Sequence, residues 1–439
     1  MTAGADVAPP GSWAARLRRR FTAGSDIWQR PDFVRLWIGQ TTSLTGSQVT
    51  AVALPLIAVD QLHAGAHAMG VLTAVGRLPY LLYLVAGVGV DRFRRRRLLL
   101  GTDLARGSLL LLLPVLSAVH LLSLWTLGAV LCVVVALSVW FDTAYMSYLP
   151  ALVGRQRLLA ANTVMESSSS TTQIVGPSLG GLLVSAFTAP GAVLVDCFSF
   201  FFSAFWLNRI EQPEPRPEAR ARPGLRLLAA EIGQGVGFVA RHRILGPLAL
   251  AIGLSNAAWA AELTLHVLYL VHDVGLPPWL IGITLAAAGP GALLGSATAG
   301  RVQRRFGVRG AVIGGLTVFA LGTLLVPLAP HRPEFAATLL LMLAAATMAL
   351  GGQACAVNVL TTRQLLAPEH LLGRVNSSFR LVGLGVTPLG ALAGGALGTA
   401  LGLRPALFAT VAVMLLAALI AAVSPVRHLR DLPTGPDAS

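Results

Sequence analysis

GVGVDRFRRRR, residues 87–97, lies between two long apolar runs and is the most informative segment of the chain. A weaker copy, GRVQRRFG at residues 300–307, lies between two further apolar runs in the second half. Asp91 and Arg304 occupy equivalent positions in the two segments, 213 residues apart in a chain of 439. Arginine clusters between apolar runs, repeated after half the chain, indicate a membrane protein built from two similar halves.

The composition excludes an ordinary soluble domain. Apolar residues make up 55% of the chain and charged residues only 12%, with a mean hydropathy of +0.71, whereas soluble domains carry about 25% charged residues. The net charge of +14 does not indicate a nucleic-acid partner, because the arginines lie in short clusters between apolar runs. The three cysteines have neither metal-site nor disulfide spacing, so we expect no metal.

Twelve apolar runs are long enough to cross a bilayer, since a helix needs roughly 20 mostly apolar residues to span about 30 Å of hydrocarbon. We number them spans 1 to 12, and they cover residues 33–59, 67–90, 98–119, 124–149, 158–188, 190–209, 244–272, 278–302, 309–329, 335–363, 371–402 and 405–424. The predicted fold class is therefore an all-α membrane protein with twelve transmembrane helices in two six-helix bundles.

The arginines predict the direction in which the chain crosses the membrane. Seven segments on one side of the predicted spans hold 28 of the 33 arginines, and the opposite loops hold two. The remaining three, Arg77, Arg106 and Arg380, lie within spans. The positive-inside rule therefore predicts a multi-pass protein of the cytoplasmic (inner) membrane with both termini cytoplasmic.

Polar segments divide the chain into five predicted regions. These are an N-terminal tail, a first bundle, a linker, a second bundle and a C-terminal tail, at residues 1–32, 33–210, 211–243, 244–424 and 425–439. Prolines and mixed charge make the start of the linker an extended segment. Its second part, residues 225–242, is expected either to form an amphipathic helix along the inner membrane surface or to extend span 7 inward.

Two further pairs of residues repeat at nearly the same offset as the arginine clusters. Asn162 corresponds to Asn376, 214 residues later, and Pro177 corresponds to Pro388, 211 residues later. Two similar six-span units in the same orientation predict a pseudo-twofold axis along the membrane normal, with a central cavity that opens to each side in turn.

These residues resemble the major facilitator superfamily. Residues 87–97 match its loop between helices two and three at Gly87, Asp91, Arg92, Arg95 and Arg96, although Arg94 replaces a glycine. The second copy keeps Arg305 and Gly307. The resemblance implies that these residues form a conformational gate, in which Asp91 contacts the start of helix eleven and steadies the outward-facing state. For Arg94 to Arg97, retention near anionic headgroups is the alternative.

QIVGPSLGG in span 5 resembles the glycine-proline motif of the superfamily's exporters. Gly176, Pro177, Gly180 and Gly181 match, and Thr172 replaces a leading glycine. Together with DTAYMSYLPALVGRQRLLAAN and VDCFSFFFSA, the motif is similar to the macrolide-efflux and enterobactin-exporter branch of the drug:proton antiporters. This resemblance implies export; ordinary helix packing by small residues is the alternative reading of the motif.

Four acids within the predicted spans qualify as functional candidates, because an ionisable side chain costs about 2.5–3.5 kcal/mol there. Glu262 shares one face of span 7 with Ser255, Trp259 and His266, and we expect Glu262 and His266 to exchange a proton or bind a substrate cation. A structural acid paired with a neighbouring helix is the alternative. Exporters of the resembled family often carry an acid after a glycine in helix one, but here Ser47 follows Gly46.

The other three acids are expected in different settings. Asp142 and Glu166 each lie about 12 Å from the inner end of their spans. We expect them to form a cytoplasmic charge network with Asp103 and Arg106, either static or broken during transport. Asp196, near the outer end of span 6, is expected to be a helix-end contact.

Polar residues on two further spans are candidates for a substrate cavity. The resemblance implies that helices one, four, seven and ten line this cavity, and the candidates on these helices are Gln40, Ser43, Ser47, Trp259, Gln353 and Asn358. Such a pocket would suit a bulky apolar or cationic molecule. Polar contacts between helices are the alternative for each of them.

The predicted protein is a transporter and not an enzyme. No phosphate-binding loop of the Walker type is present, and we expect no cofactor. We expect a monomer that exports hydrophobic or amphiphilic small molecules, of drug or macrolide type, in exchange for protons. The alternatives are export of a siderophore or native metabolite, lipid transport, or a sensor that transports nothing.

Overall fold

The computed structural model of the protein describes residues 27–83, 86, 90, 93–154, 156–212, 225–368 and 371–428. Spans 1 to 6 are helical over Pro31–Leu56 with Ile57–Gln61, Ala66–Arg77 with Leu78–Leu82, Arg95–Ala118, Leu124–Val153, Leu158–Phe187 and Ala189–Asn208. Spans 7 to 12 occupy Leu245–Tyr269 with Leu270–Val274, Pro278–Ala286, Ala288–Leu325, Glu334–Leu366, Leu372–Gly385 with Thr387–Leu401, and Leu403–Val423. The predicted all-helical fold is confirmed.

Nine helical stretches among the described residues are long and apolar enough to cross a membrane. One of them, Pro278–Leu325, contains both span 8 and span 9, because Gly307 has a φ of 74° and breaks the helix there. Only a glycine adopts this left-handed conformation without strain. Span 5 is less apolar because residues 167–172 all carry hydroxyl groups, and span 2 is described over only part of its length. The nine stretches, with spans 2 and 5, account for the twelve predicted spans.

Residues 225–242 form a separate helix, Leu225–Arg241, which ends before span 7 begins at Leu245. This break excludes the alternative in which the segment simply extends span 7. The helix packs on span 11, where Nη1 of Arg374 donates to Oε1 of Gln234 at 2.6 Å. Linker residues 213–224 and most of both predicted tails lie outside the described residues.

The two bundles share one apolar cluster at one end and have separate apolar clusters at the other. At the end opposite the arginine clusters, one apolar cluster combines buried residues of both bundles, among them Leu56, Leu113, Leu265 and Leu407. At the arginine-rich end, each bundle has an apolar cluster of its own. The cluster of the first bundle includes Phe141, and the cluster of the second bundle includes Val312. The apolar packing between the bundles is therefore concentrated at the end opposite the arginine clusters.

Glycine contacts repeat the same packing in each bundle. A Cβ atom at Gly180 in span 5 would lie 3.1 Å from Cα of Val49 in span 1. Likewise, a Cβ atom at Gly394 in span 11 would lie 2.6 Å from Cα of Ala261 in span 7. Gly394 follows Gly180 by 214 residues and Ala261 follows Val49 by 212 residues, so the two contacts are equivalent under the internal repeat.

The contacts between the bundles follow the repeat as well. A Cβ atom at Gly181 in span 5 would lie 2.5 Å from the carbonyl oxygen of Pro278 in span 8. A Cβ atom at Gly395 in span 11 would lie 2.7 Å from the carbonyl oxygen of Ala66 in span 2. Because small residues let the backbones approach closely, spans 5 and 8 and spans 2 and 11 form the two seams between the bundles.

Candidate functional site

A cavity of about 620 Å³ lies in the second bundle, between spans 7, 9, 10 and 11. Three residues of the predicted polar faces line it, namely Ser255, Trp259 and Gln353. The cavity is also lined by Asn256 and Arg363, which the sequence analysis did not select. Asn256 follows Ser255 directly, but helical periodicity assigns adjacent residues to different faces, and so this signal was missed.

Arg77 of span 2, in the first bundle, contacts Trp259, one of the residues that line this cavity. Its guanidinium carbon lies 4.9 Å from the centre of the Trp259 ring and 5.8 Å from that of Tyr80. Both distances are within the range of a cation–π interaction. The tryptophan that was predicted to bind substrate therefore already carries a cation supplied by the other bundle.

The remaining candidates for the cavity do not line it. The Asn358 side chain donates to the carbonyl oxygen of Ala354 at 2.8 Å, and its Oδ1 atom has no hydrogen-bond partner among the described residues. Gln40 is part-buried and Ser43 is buried, both in span 1. Ser47 faces span 6, with its hydroxyl 3.4 Å from Oδ1 of Asp196.

Glu262 and His266 form a buried pair in span 7. Nδ1 of His266 lies 2.6 Å from Oε1 of Glu262, and the two residues are 9% and 2% exposed, respectively. The i, i+4 spacing places them one above the other on the helix. Glu262 lies about one turn beyond Trp259, on the side away from the arginine-rich end, and the residues that line the cavity include neither Glu262 nor His266.

The acids near the arginine-rich end have separate partners. Asp142 accepts a hydrogen bond from the Tyr83 hydroxyl at 2.6 Å. The Tyr83 ring lies 4.8 Å from the guanidinium carbon of Arg380 in the second bundle. Arg380, Tyr83 and Asp142 therefore connect the two bundles.

Glu166 and the Asp103–Arg106 pair lie apart from Asp142. Glu166 is exposed and lines a second cavity of about 710 Å³ with Tyr145 and Asn162. Arg106 forms a buried ion pair with Asp103 one turn earlier in span 3. None of the hydrogen bonds or ion pairs among the described residues joins these four charged groups into one network, and the predicted single network remains a hypothesis.

The structure corrects the expectation for Asp196. This residue was expected at a helix end, but it lies two turns inside span 6 and is 1% exposed. Its carboxylate accepts hydrogen bonds from Thr50 and Ser47 of span 1 and from Ser199 of its own helix. The burial of Asp196 results from the close packing of span 6 along span 1. The residue pattern of a single helix does not show which other helix it contacts, so this burial could not be predicted from span 6 alone.

Part of the predicted gate is described. Gly87, Asp91 and Arg92 lie outside the described residues. Arg96 donates to the carbonyl oxygens of Leu207 at 3.1 Å and Asn208 at 2.6 Å, which ties the start of span 3 to the end of span 6.

Two further arginines of the predicted gate have partners of different kinds. Nη1 of Arg95 lies 3.5 Å from the carbonyl oxygen of Ser147 in span 4. Arg305 is exposed, and its guanidinium carbon lies 5.5 Å from the centre of the Phe306 ring.

The residues of the predicted exporter motif lie where span 5 meets two other spans. A Cβ atom at Gly176 would lie 2.4 Å from Cβ of Gln48 in span 1. On the other side of span 5, a Cβ atom at Gly282 in span 8 would lie 2.4 Å from the carbonyl oxygen of Pro177. The motif therefore lies in contact with both bundles.

Comparisons with known proteins agree with this fold. Residues 28–437 match the family model described as "Transmembrane secretion effector", and the chain belongs to this family of major facilitator superfamily transporters. It is 27% identical over 407 residues to the multidrug efflux pump Tap of Mycolicibacterium fortuitum, covering 90% of this chain and 96% of that protein. It is also 27% identical over 391 residues to the enterobactin exporter EntS of Salmonella typhimurium, covering 84% and 86%.

Solved structures of low sequence identity share the same fold. The nucleoside transporter NupG matches with a TM-score of 0.73 at 9% identity, over 89% of this chain and 98% of that one. A bacterial homologue of the iron transporter ferroportin, in its inward-facing state, matches with a TM-score of 0.68 at 15% identity, over 89% and 97%. The chain is therefore a multi-pass membrane transporter and not an enzyme.

Proposed function

We propose that the protein is a secondary active exporter of hydrophobic or amphiphilic small molecules that takes up protons in exchange. The observation that carries this proposal is the buried Glu262–His266 pair, about one turn beyond the Trp259 cavity. A carboxylate and an imidazole in hydrogen-bond contact can take up and release a proton near neutral pH. Protons bound there change the charge next to the cavity in which we place the substrate.

The direction of transport follows from the orientation and from the relatives. With the arginine-rich end in the cytoplasm, the end at which the bundles have separate apolar clusters faces the cytoplasm, where an exporter loads its substrate. The multidrug efflux pump and the enterobactin exporter that resemble this chain support export over uptake. We assign the predicted gate around Asp91 and the exporter motif around Pro177 to the control of alternating access.

In the proposed cycle, substrate enters from the arginine-rich end while the Glu262–His266 pair has released its proton. Rocking of the bundles about the two glycine seams then exposes the cavity to the opposite side. Proton binding from that side turns the pair into an imidazolium–carboxylate unit and adds positive charge about one turn from Trp259. This charge weakens the binding of a cationic substrate, which leaves before the protonated transporter returns.

The test uses purified protein in liposomes with an imposed pH gradient. Ethidium serves as a cationic amphiphilic probe, and a fluorescent phosphatidylethanolamine tests lipid transport. We expect ethidium to accumulate against its gradient in the compartment that supplies the protons, and accumulation to vanish when nigericin collapses the pH gradient. Movement of the lipid alone would favour the lipid transporter. The sensor would be favoured if ethidium, the lipid and the anionic probe anilinonaphthalene sulfonate all failed to move.

A second candidate substrate class is an anionic amphiphile, such as a siderophore or an acidic metabolite. Arg363 lines the cavity, Arg77 lies over Trp259, and no acidic side chain is among the lining residues described for it. Arginine binds carboxylate groups and other oxyanions well. Anilinonaphthalene sulfonate tests this class in the same liposomes, and the replacement Arg363→Gln should slow its transport while ethidium transport persists.

A further inference from the structure

We infer that Asp196 binds a second transported proton, in addition to the one at the Glu262–His266 pair. Asp196 belongs to span 6 and takes the place of an acid that span 1 lacks. The inference deepens the proposed function and rests on proton antiport. It adds a residue that neither the gate nor the exporter motif contains. The argument uses the contacts of Asp196, the internal repeat, the surrounding charges and a neighbouring crevice.

The carboxylate of Asp196 is surrounded by hydroxyl groups. Oδ2 accepts from Thr50 at 2.6 Å, and Oδ1 lies 3.1 Å from the Ser199 hydroxyl and 3.4 Å from that of Ser47. Within the described part of the chain, no basic side chain forms an ion pair with it. Hydroxyl groups can donate to the carboxylate and can accept from the carboxylic acid, so the site accommodates both protonation states.

Gly46 permits this approach of span 6 to span 1. A Cβ atom at Gly46 would lie 2.6 Å from Oδ1 of Asp196 and 2.3 Å from the Ser199 hydroxyl. Any side chain at this position would therefore displace the carboxylate. The glycine that precedes the expected acid of span 1 is present, and the acid beside it comes from the neighbouring helix.

The internal repeat places the two acids at equivalent levels. Val49 and Ala261, 212 residues apart, make equivalent contacts with spans 5 and 11. The same offset relates Thr50, which donates to Asp196, to Glu262. Each bundle therefore holds a buried carboxylate at the same height. In the second bundle it belongs to the first helix, span 7, and in the first bundle it belongs to span 6, which packs against the first helix, span 1.

The charges around Asp196 compensate it only in part. Span 3 contributes Arg106, whose positive charge acts on Asp196 but is already paired with Asp103. The Arg106 guanidinium also lies between the rings of Phe141 and Phe200. A carboxylate that is only partly compensated is costly inside a membrane, and a bound proton removes that cost.

The other elements around Asp196 provide no further cation. The ionisable residues of span 1 are Asp32 and Arg35 near its start at the arginine-rich end and Asp60 at its opposite end. Span 5 carries one ionisable residue, Glu166, which lines a different cavity. On span 6 itself, the neighbouring Cys197 is buried.

A crevice reaches the site from the side of the bundle. It has a volume of about 860 Å³ and is lined by the polar residues Thr41, Thr42, Thr45 and Ser199, by Gly46, and by the apolar residues Val195, Phe198, Phe201 and Phe202. Ser199 belongs both to this lining and to the hydrogen bonds of Asp196. The crevice therefore ends one hydrogen bond from the carboxylate, and we assign proton access to this side of the site.

Infrared spectroscopy of the purified protein in lipid nanodiscs tests the inference without relying on transport. A pH titration of the wild type should show a carboxylic-acid band that is absent in Asp196→Asn and unchanged in Glu262→Gln. The replacement Gly46→Ala keeps the acid but displaces it, and the band should shift; Gly101→Ala, where a Cβ atom meets open space, should leave it unchanged. If the titrating band persists in Asp196→Asn, the inference is wrong.

Transport in liposomes tests whether this proton is coupled. We expect Asp196→Asn to lower gradient-driven ethidium accumulation by about tenfold or more, while downhill ethidium flux stays within about twofold of the wild type. Full accumulation by the variant would refute coupling through Asp196. If the wild type moves no ethidium, anilinonaphthalene sulfonate or lipid at all, the proposed antiport fails, and the infrared titration alone decides whether Asp196 exchanges a proton.

Discussion

Nδ1 of His266 lies 2.6 Å from Oε1 of Glu262, one turn away along span 7, and both side chains are buried. In the proposed antiport, the two groups act as one proton-binding unit whose charge depends on both. Because the pair is close to the Trp259 cavity, its protonation state acts on any charged molecule held there. This relationship makes Glu262 the first residue to replace.

Replacing Glu262 with Gln should abolish gradient-driven export and leave the fold intact, because the amide keeps the size of the side chain but cannot bind the proton. Ethidium accumulation in liposomes measures the effect, and downhill exchange of ethidium should persist. Glu334→Gln is the matched control, since Glu334 is exposed in the first turn of span 10. Unchanged accumulation by Glu262→Gln would exclude Glu262 as the coupling acid.

Replacing Trp259 with Ala should weaken ethidium binding, since the ring supplies a cation–π surface worth about 0.5–2 kcal/mol. That corresponds to an increase in Kd of roughly 2- to 30-fold, with a smaller increase for Trp259→Phe. Fluorescence titration of the purified protein measures Kd. Trp125→Ala is the control, because Trp125 is 82% exposed at the start of span 4.

Arg77→Gln should have the opposite effect on ethidium binding. The Arg77 guanidinium lies over the Trp259 ring. A cationic ligand must therefore displace this guanidinium from the ring and is repelled by its positive charge. The variant should therefore bind ethidium more tightly and anilinonaphthalene sulfonate more weakly than the wild type. A loss of affinity for both probes would mean that Arg77 supports the cavity structurally.

The fold could be predicted from the sequence because each span is a local property of about 20 apolar residues. The arginine clusters and the offset of 211 to 214 residues between repeated motifs added the order of the spans and the two bundles. Span 5 was predicted at residues 158–188, and the structure has a helix over Leu158–Phe187 although residues 167–172 all carry hydroxyl groups.

The site could be predicted only where its residues share one helix. Glu262 and His266 were paired from their spacing, and the structure places them in contact. Asp196 and Arg77 were not assigned their partners, because Thr50 and Trp259 lie on other helices and their proximity depends on how the spans pack. Periodicity identifies the faces of a helix but not the helix that each face meets.

Replacing Gly181 with Ala should prevent the close contact between spans 5 and 8, because the new Cβ atom would lie 2.5 Å from the Pro278 carbonyl oxygen and 3.0 Å from Cα of Gly282. Overpacking of this kind costs about 1–3 kcal/mol. We expect the ends opposite the arginine clusters to separate, which electron–electron distance measurements between spin labels on these two spans would detect. Gly101→Ala is the control, and equal distance distributions in both variants would contradict the assignment of this seam.

His242 should make the stability of the protein depend on pH. Its Nδ1 accepts hydrogen bonds from the backbone N–H groups of Ile244 and Leu245 at 3.1 and 3.2 Å, so the neutral ring caps the start of span 7. Burial lowers the pKa of His242 below its ordinary value of 6.5, and the neutral form is thus favoured in the folded protein. The stabilisation is complete above pH 6.5 and is lost as the pH falls through the lowered pKa. As the pH is lowered from above 6.5, the melting temperature should fall less steeply for His242→Asn than for the wild type and for the control His120→Asn. Identical dependence of the melting temperature on pH in all three proteins would refute the cap.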